Sequence, residues 1–282
     1  MPRAKSIGTV LPVSAFFLIL LLTPILSAGE QPTAAVPTVD EIVNNTNRVS
    51  YYQGSDGMAK VSMTIVDSQG RKRSRVMTIL RWDKPGPGGD DKFCGEQKFY
   101  VYFHRPADVN KMAFLVHKHL DRDDDRWLYL PALDLVKRIA ATDKRTSFVG
   151  SDFFYEDISG RHIDEDTHEI LKTTQNYYVL KNTPKDPGSV EFSYFTMWIH
   201  RRTFVVVKTE YFDKQGEKYR EYTAKEVKVI QGYPTVTRAT MADLRTGGYT
   251  ELGYSSVKYN LGISESIFTE RYLRRPPYRY LR

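Results

Sequence analysis

The chain has 282 residues, 41% of them hydrophobic, and its 41 Lys and Arg outnumber the 34 Asp and Glu, for a net charge of +7. Two of the basic residues lie within positions 1–29 and five arginines within positions 271–282, so the rest of the chain is balanced in charge. A nucleic-acid-binding protein would carry its basic excess on the folded surface, so we do not expect that class. Cys94 is the single cysteine, which excludes an intramolecular disulfide.

The first 29 residues have the layout of a secretory signal peptide. Arg3 and Lys5 precede an apolar run over residues 10–26, and small residues for a cleavage site follow at 27–29. An uncleaved membrane anchor is the alternative, but two prolines and a serine interrupt the run and make it a poor span. We therefore expect cleavage and a mature protein in the periplasm.

One helix is predicted near the start of the mature chain, over residues 39–50. Thr38 and Glu41 have the spacing of a capping box, in which each residue satisfies a backbone or side-chain group of the other. The apolar positions fall on one helical face, which the helix would turn toward the body of the protein. Helical signals weaken after this segment.

Some twelve strand candidates follow, with alternating side chains and short turns such as those at residues 67–70, 213–216 and 246–248. This succession predicts a mainly β fold built on one large antiparallel sheet. The candidates are residues 60–66, 71–81, 98–104, 112–119, 125–130, 134–141, 177–181, 190–200, 204–212, 218–230, 234–241 and 249–259.

Between the two series of strands lies an irregular, aromatic segment at residues 147–160, followed by a predicted short helix over residues 164–171. Several strands, such as 190–200, are apolar on both faces, whereas a sheet with one face in water should alternate cleanly. We therefore expect a curved sheet, a half-open barrel of about 11–12 strands, whose concave face is covered by helices and a loop.

The stretch RWLYLPALDLVKRI, residues 126–139, concentrates apolar and aromatic side chains on one hairpin. Trp127 and Tyr129 share one face, and Leu128 and Leu130 share the other. The stretch is either ordinary core or the lining of a cavity for an apolar ligand. We favour lining, although part of it must also be core.

At this hairpin the chain resembles the LolA-like family of outer-membrane lipoprotein-sorting proteins. The shared pattern is a Trp, an aromatic residue two positions on and a Pro two beyond that, here Trp127, Tyr129 and Pro131. Further matching segments are GSDFFYED, MWIHRRTF, EYFDKQGE and FTERYLRRP, and the longer branch of the family fits best. The resemblance extends over nearly all of residues 30–270.

The resemblance implies a half-open β-barrel whose apolar cavity takes up acyl chains of lipids or lipoproteins, and a companion role beside inner-membrane lipid exporters of the resistance-nodulation-division type. It also implies an arginine that hydrogen-bonds to the lid, and Arg105 before Pro106 is the matching position. We expect the helix and residues 147–160 to form the lid, and opening to expose Trp127 and Tyr129. Candidates for the lining or the lid are Trp127, Tyr129, Leu133, Phe148, Phe153, Phe154 and Trp198.

An acyl chain of about 16 carbons gains roughly 12 kcal/mol when it leaves water, so a carrier must match the apolarity of the membrane. No nucleotide-binding loop is present, and a membrane pump or a tighter acceptor would have to supply direction. A periplasmic sensor that reports lipid occupancy to a membrane partner is the alternative function.

The basic C-terminal tail, residues 271–282, combines arginines with tyrosines, a composition suited to a membrane surface or an acidic partner. Candidate contacts are Arg274, Arg275 and Arg279; a solvated end with local packing is the alternative.

Two His-rich and acidic stretches, residues 117–125 and 162–168, lack the ligand spacing of zinc or calcium sites. Ser151 and Cys94 lack a context that activates a nucleophile. We therefore expect no metal, no cofactor and no enzymatic activity.

Overall fold

The computed structural model describes residues 36–86 and 89–281, without the side chains of residues 89–94. The predicted signal peptide lies outside the described residues, and the side chain of Cys94 does too. Within the described part of the chain, no helix is long and apolar enough to cross a membrane.

The described residues form 13 strands and three α-helices. The helices are α1 Val39–Tyr51, α2 Tyr155–Ser159 and α3 Glu270–Arg274. The strands are β1 Asp56–Val66, β2 Lys72–Gly86, β3 Gly89–Arg105, β4 Ala113–Lys118, β5 Asp125–Leu130, β6 Leu135–Ile139, β7 Asp166–Thr173, β8 Tyr177–Pro184, β9 Phe192–His200, β10 Val206–Asp213, β11 Lys218–Ile230, β12 Tyr233–Asp243 and β13 Gly248–Tyr259.

All 13 of these strands belong to one antiparallel sheet, in the order β6-β5-β4-β3-β2-β1-β13-β12-β11-β10-β9-β8-β7. Strands that are consecutive in sequence pair with each other, except β6 and β7, and β1 also pairs with β13 in a register that sets Met63 opposite Leu252. β6 and β7 stand at the two open edges. The predicted mainly β, half-open fold is confirmed, with one strand more than the twelve candidates.

The additional strand is β7, where the sequence predicted a short helix over residues 164–171. The acids there do not cap an α-helix: Ile163–Glu165 forms a short 3₁₀ turn, and the chain then extends. β7 pairs with β8, and His168 Nδ1 lies 2.7 Å from Asn182 Oδ1 across that pair. The helix prediction is wrong. The acidic residues favour the start of a helix, but the backbone N–H and C=O groups of this segment form hydrogen bonds with β8 instead.

α1 forms as predicted. The Thr38 hydroxyl accepts a hydrogen bond from the Glu41 amide at 3.2 Å, and the Glu41 carboxylate accepts one from the Thr38 amide at 2.8 Å. Ile42 and Val43 are buried and pack on β8 and β9 together with Tyr178. The capping box therefore begins the helix, and its apolar face attaches it to the sheet.

The inner face of the sheet, on the side of α1, carries the main core near β1–β5. Aromatic side chains from residues 148–155 fill this part: Phe148 is fully buried, and its ring meets Phe114 at 5.4 Å and Tyr155 at 5.5 Å. The segment expected to cover a cavity is thus partly solid core.

The outer face of the same strands is covered by the C-terminal segment, residues 263–281. Ile267, Phe268 and Leu273 are buried against Tyr100 and Leu115. Tyr100 also donates a hydrogen bond from its hydroxyl to the carbonyl of Tyr272 at 2.8 Å. Strands such as β3 and β4 are apolar on both faces because each face has its own cover.

We expect Leu273→Ala to lower the free energy of unfolding by about 2–5 kcal/mol, because Leu273 has no exposed surface and truncation leaves a cavity. The matched control is Leu133→Ala, at a side chain that is 71% exposed, which should change stability by less than about 0.5 kcal/mol. Urea unfolding followed by circular dichroism measures both. Equal effects would contradict a packed outer cover.

Candidate functional site: a cavity beneath α1

A cavity of about 420 Å³ lies between the inner face of the sheet and a lid, by which we mean α1 and residues 144–163. β1–β3 and β7–β13 all contribute side chains, so the sheet curves around it. The volume is within the range of roughly 300–1,000 Å³ that holds one small ligand. The predicted lid elements therefore do cover a hollow.

Most of the cavity wall is apolar. The side chains that line it come from the lid and from alternate positions of the strands. They include Val43, Ala59, Ile79, Phe99, Phe153, Ile158, Met197, Val206, Met241 and Leu252. An apolar wall of this kind accepts hydrocarbon and offers little to a charged solute.

Buried charges fix the second lid segment, residues 144–163, to the sheet. Glu156, only 2% exposed, lies among Arg145, Lys144 and Arg161, with Lys144 Nζ at 3.3 Å and Arg161 Nη1 at 3.5 Å. Burial alone would raise the pKa of Glu156, but Arg145, Lys144 and Arg161 hold it below its usual value. Arg145 also donates two hydrogen bonds, of 2.6 and 2.7 Å, to Glu191, the residue before β9.

A second ion pair joins α2 to β11. Arg220, which is 2% exposed, pairs with Asp157 and donates a hydrogen bond to the carbonyl of Asp152 at 2.8 Å. Its guanidinium lies 3.9 Å from the centre of the Phe154 ring, whose other neighbour is Arg145 at 5.1 Å. Phe154 thus separates two arginines in the attachment of the lid.

Arg81 holds the end of α1. Its guanidinium donates hydrogen bonds to the carbonyls of Tyr51 at 2.7 Å, Gln53 at 2.5 Å and Gly54 at 2.9 Å. Nε lies 3.0 Å from Asp83 Oδ1, in an ion pair whose side chains are 11% and 13% exposed. The carbonyls at a helix C-terminus lack partners within the helix, and Arg81 supplies them.

Four tyrosines also line the cavity: Tyr51 at the end of α1, Tyr211 on β10, Tyr222 on β11 and Tyr254 on β13. Burial raises the pKa of Tyr211 and of Tyr254 to about 12, and it raises the pKa of Tyr51 and Tyr222 as well. The side chains are therefore neutral phenols at ordinary pH.

Of the aromatic residues predicted to line the cavity or form the lid, Phe153 does line it. Phe148 lies in the solid core, and Phe154 lies between two arginines of the lid attachment. Trp198 lies on the outer face of β9, with Lys208 Nζ 5.0 Å from its ring centre. Strand alternation was predicted correctly here, but it does not say which face is inner.

The hairpin at residues 126–139 lies away from the cavity. Trp127 and Tyr129 are half-buried on the outer face, where they pack with the C-terminal segment, and Leu133 is exposed at the hairpin tip. Leu128 points to the inner face, which at this end of the sheet is core. The expectation that Trp127 and Tyr129 line the cavity is corrected: the C-terminal segment occupies the surface they were expected to offer to a ligand.

Arg105, expected to hydrogen-bond to the lid, is exposed at the end of β3 and precedes a cis peptide bond to Pro106. Among the described residues its side chain makes no hydrogen bond to the lid, whereas Arg81 makes three to the end of α1. The sequence did not indicate Arg81 because its partners are backbone carbonyls, and every residue has one, so no side-chain pattern identifies them.

The candidate contact arginines of the tail, Arg274, Arg275 and Arg279, are all exposed. Arg274 donates from Nε to Asp134 Oδ1 at 3.0 Å, which ties α3 to the tip of the β5–β6 hairpin. Leu281, two residues after Arg279, is buried. The described part of the tail is therefore seated on the sheet, and Arg274, Arg275 and Arg279 face outward.

The two His-rich stretches have structural partners. His117 Nε2 lies 2.7 Å from the carbonyl of Phe268, and His119 and His162 contact Asp125 and Asp124 at 3.0 Å each. In the described ranges, no group of three or more His, Cys, Asp or Glu side chains is placed to hold a metal ion.

We expect Arg81→Met to free the C-terminal end of α1, because it removes three hydrogen bonds and leaves Asp83 without its cation, at a cost of about 3–5 kcal/mol locally. Hydrogen exchange should quicken in residues 39–54 and stay slow in β3 and β4. The matched control is Arg105→Met, for which we expect no change. Faster exchange of α1 in the control alone would assign the lid bond to Arg105.

Comparison with known proteins agrees with the fold. A family model described as that of an uncharacterized protein matches residues 95–275. A search of curated proteins gave no significant match.

Solved structures are similar over most of the chain. A DUF1329 family protein from Desulfovibrio piger is 27% identical, with a TM-score of 0.74, over 84% of this chain and 100% of its own. A putative outer membrane lipoprotein-sorting protein domain from Vibrio parahaemolyticus is 29% identical, with a TM-score of 0.74, over 83% of this chain and 97% of its own.

A LolA superfamily protein from Nitrosomonas europaea is 19% identical, with a TM-score of 0.63, over 84% of this chain and 100% of its own, and so shares the fold. The family model covers more than half of the chain, and the similar structures carry the same curved sheet. The chain therefore belongs to the family that this model describes, and it has the LolA-like fold.

Proposed function

We propose that this protein is a periplasmic carrier that binds one acyl chain of a lipid or lipoprotein in the cavity beneath α1 and moves it between the inner and outer membranes. The observation that carries the proposal is the apolar hollow of about 420 Å³ under a lid attached by separate polar contacts. An exporter in the inner membrane would load it. The similar lipoprotein-sorting domain from Vibrio parahaemolyticus supports this class of cargo.

The energetics require a cavity and no catalytic group. Each buried methylene stabilises binding by about 0.8 kcal/mol, so a chain of about 16 carbons is held by roughly 12 kcal/mol before ordering costs. Burial in the cavity replaces the burial that the acyl chain loses when it leaves the bilayer. The transfer is therefore close to balanced in free energy and can run in either direction. Direction must then come from the exporter or from a tighter acceptor.

We expect Ala59→Trp to abolish uptake of a fluorescent fatty-acyl probe, because Ala59 lines the cavity beside Ile79 and an indole there fills the space. The control is Ala140→Trp at an exposed position after β6, which should bind the probe as the wild type does. Binding is followed by probe emission with purified protein.

The carrier proposal would be wrong if the wild type took up no probe and the protein purified without detergent contained no lipid. Pull-down from membranes distinguishes the sensor alternative, since capture of a regulator in place of a transporter or lipoprotein would favour sensing.

We also propose that the exposed arginines of the tail contact an anionic membrane surface or an acidic partner during transfer. One of them, Arg274, lies beside Leu133 and Leu135, which are 71% and 45% exposed on either side of Asp134. Because Arg274 joins α3 to Asp134, at least this basic group and the two leucines lie together. This combination suits the interface of an anionic bilayer.

Reversal of two charges, Arg275→Glu with Arg279→Glu, should weaken cosedimentation with anionic vesicles, at about 1 kcal/mol for each arginine that leaves the surface. Lys172→Glu with Lys185→Glu is the control, because these exposed lysines lie on or next to β7 and β8 at the opposite edge of the sheet. Equal losses for both double variants would assign binding to net charge alone.

A further inference from the structure

The four tyrosines of the cavity, which we call the tyrosine cluster (Tyr51, Tyr211, Tyr222 and Tyr254), converge from four separate elements. They lie deep in the molecule, yet each keeps accessible surface, and that surface faces the cavity. All four side chains line the same cavity of about 420 Å³, so their hydroxyls are available to one bound molecule. The cluster therefore places four phenol groups in a wall that is mostly apolar.

The hydroxyls of the tyrosine cluster have no hydrogen-bond partner among the described residues. Other tyrosines of this protein do: Tyr52 donates to the carbonyl of Gly95 at 2.8 Å, and Tyr219 donates to Glu191 at 2.7 Å. A phenol costs about 1–3 kcal/mol when an apolar ligand takes the place of water beside it without offering a hydrogen-bond partner. Four such groups at one place indicate a role in binding, because phenylalanine would line an apolar cavity at lower cost.

The charged groups that line the same cavity are matched in pairs. The pairs are Arg81 with Asp83, Arg161 with Asp166, Arg145 with Glu156, and Arg220 with Asp157. A bound phosphate or carboxylate would need a cation that is not already neutralised. The cavity lining offers neutral phenols instead, which donate hydrogen bonds to neutral oxygen atoms.

We propose that the tyrosine cluster recognises a neutral oxygen of the cargo, an ester carbonyl or a hydroxyl, while the hydrocarbon lies along the apolar wall. This inference rests on the proposed carrier function and specifies its cargo: neutral acylglycerol-type or hydroxylated lipids over free fatty acids. Leu252 and Met241 lie beside the cluster on β13 and β12, so a chain that begins at the tyrosines continues onto apolar surface.

The test compares four ligands of equal chain length on the full chain: hexadecane, methyl hexadecanoate, hexadecanol and ionised hexadecanoate, each by displacement of the fluorescent acyl probe. We expect the ester or the alcohol to bind about tenfold more tightly than hexadecane, since one or two net hydrogen bonds correspond to that factor. The ester and alcohol arms identify which oxygen is preferred. Hexadecanoate should bind more weakly than the preferred neutral ligand.

The variant Tyr222→Phe with Tyr254→Phe should abolish the preference for oxygen while hexadecane still binds. It should not lower the free energy of unfolding, because the hydroxyls removed have no protein partner. The control Tyr100→Phe removes a hydroxyl bonded to the carbonyl of Tyr272 on the outer face, and should lower stability but keep the preference.

Equal binding of hexadecane and both neutral oxygen ligands by the wild type would overturn the role of the cluster and leave the carrier function standing. Tightest binding of hexadecanoate would overturn the neutral specificity. Failure of every ligand to displace the probe, or of the probe to bind, would instead count against the carrier function itself.

Discussion

Burial of two apolar faces on one open sheet is the constraint on which the rest of this structure depends. A sheet closed into a barrel needs no cover outside, but here β6 and β7 remain edges and the strands near β3 and β4 are apolar on both sides. If only one face were covered, the apolar side chains of the other face would be exposed to water. The chain solves this with two covers, the lid inside and the C-terminal segment outside.

The two covers differ in chemistry, and the difference suits a carrier. The outer cover is apolar, with Phe268 and Leu273 fully buried, so its removal would expose a large hydrophobic surface. The lid combines an apolar contact of α1 with hydrogen bonds from Arg81 and with ion pairs around Glu156. A buried ion pair orients its partners but adds little net stability over apolar packing. The lid can therefore be held in place at a modest cost of opening.

Local patterns account for most of the secondary structure. The capping box at Thr38 begins α1, and turns at Gly70 and Gly216, two glycines with positive φ, separate neighbouring strands. Each of these signals involves only residues close together in the sequence. They could be predicted for that reason. β7 could not, because His168 and its neighbours become a strand through partners on β8, and their own composition favours a helix start.

The sequence by itself determined the class of fold, the strand alternation, the first helix and the family resemblance, since each depends on residues close together in the chain or on their order along it. Tertiary structure alone decided which face of each strand meets the cavity. Trp127 faces a segment more than a hundred residues later in the chain, and Tyr51 lines the cavity together with three tyrosines from distant strands. Alternation shows that a strand has two faces but does not distinguish them. One becomes the outer face only because a segment distant in the chain packs against it.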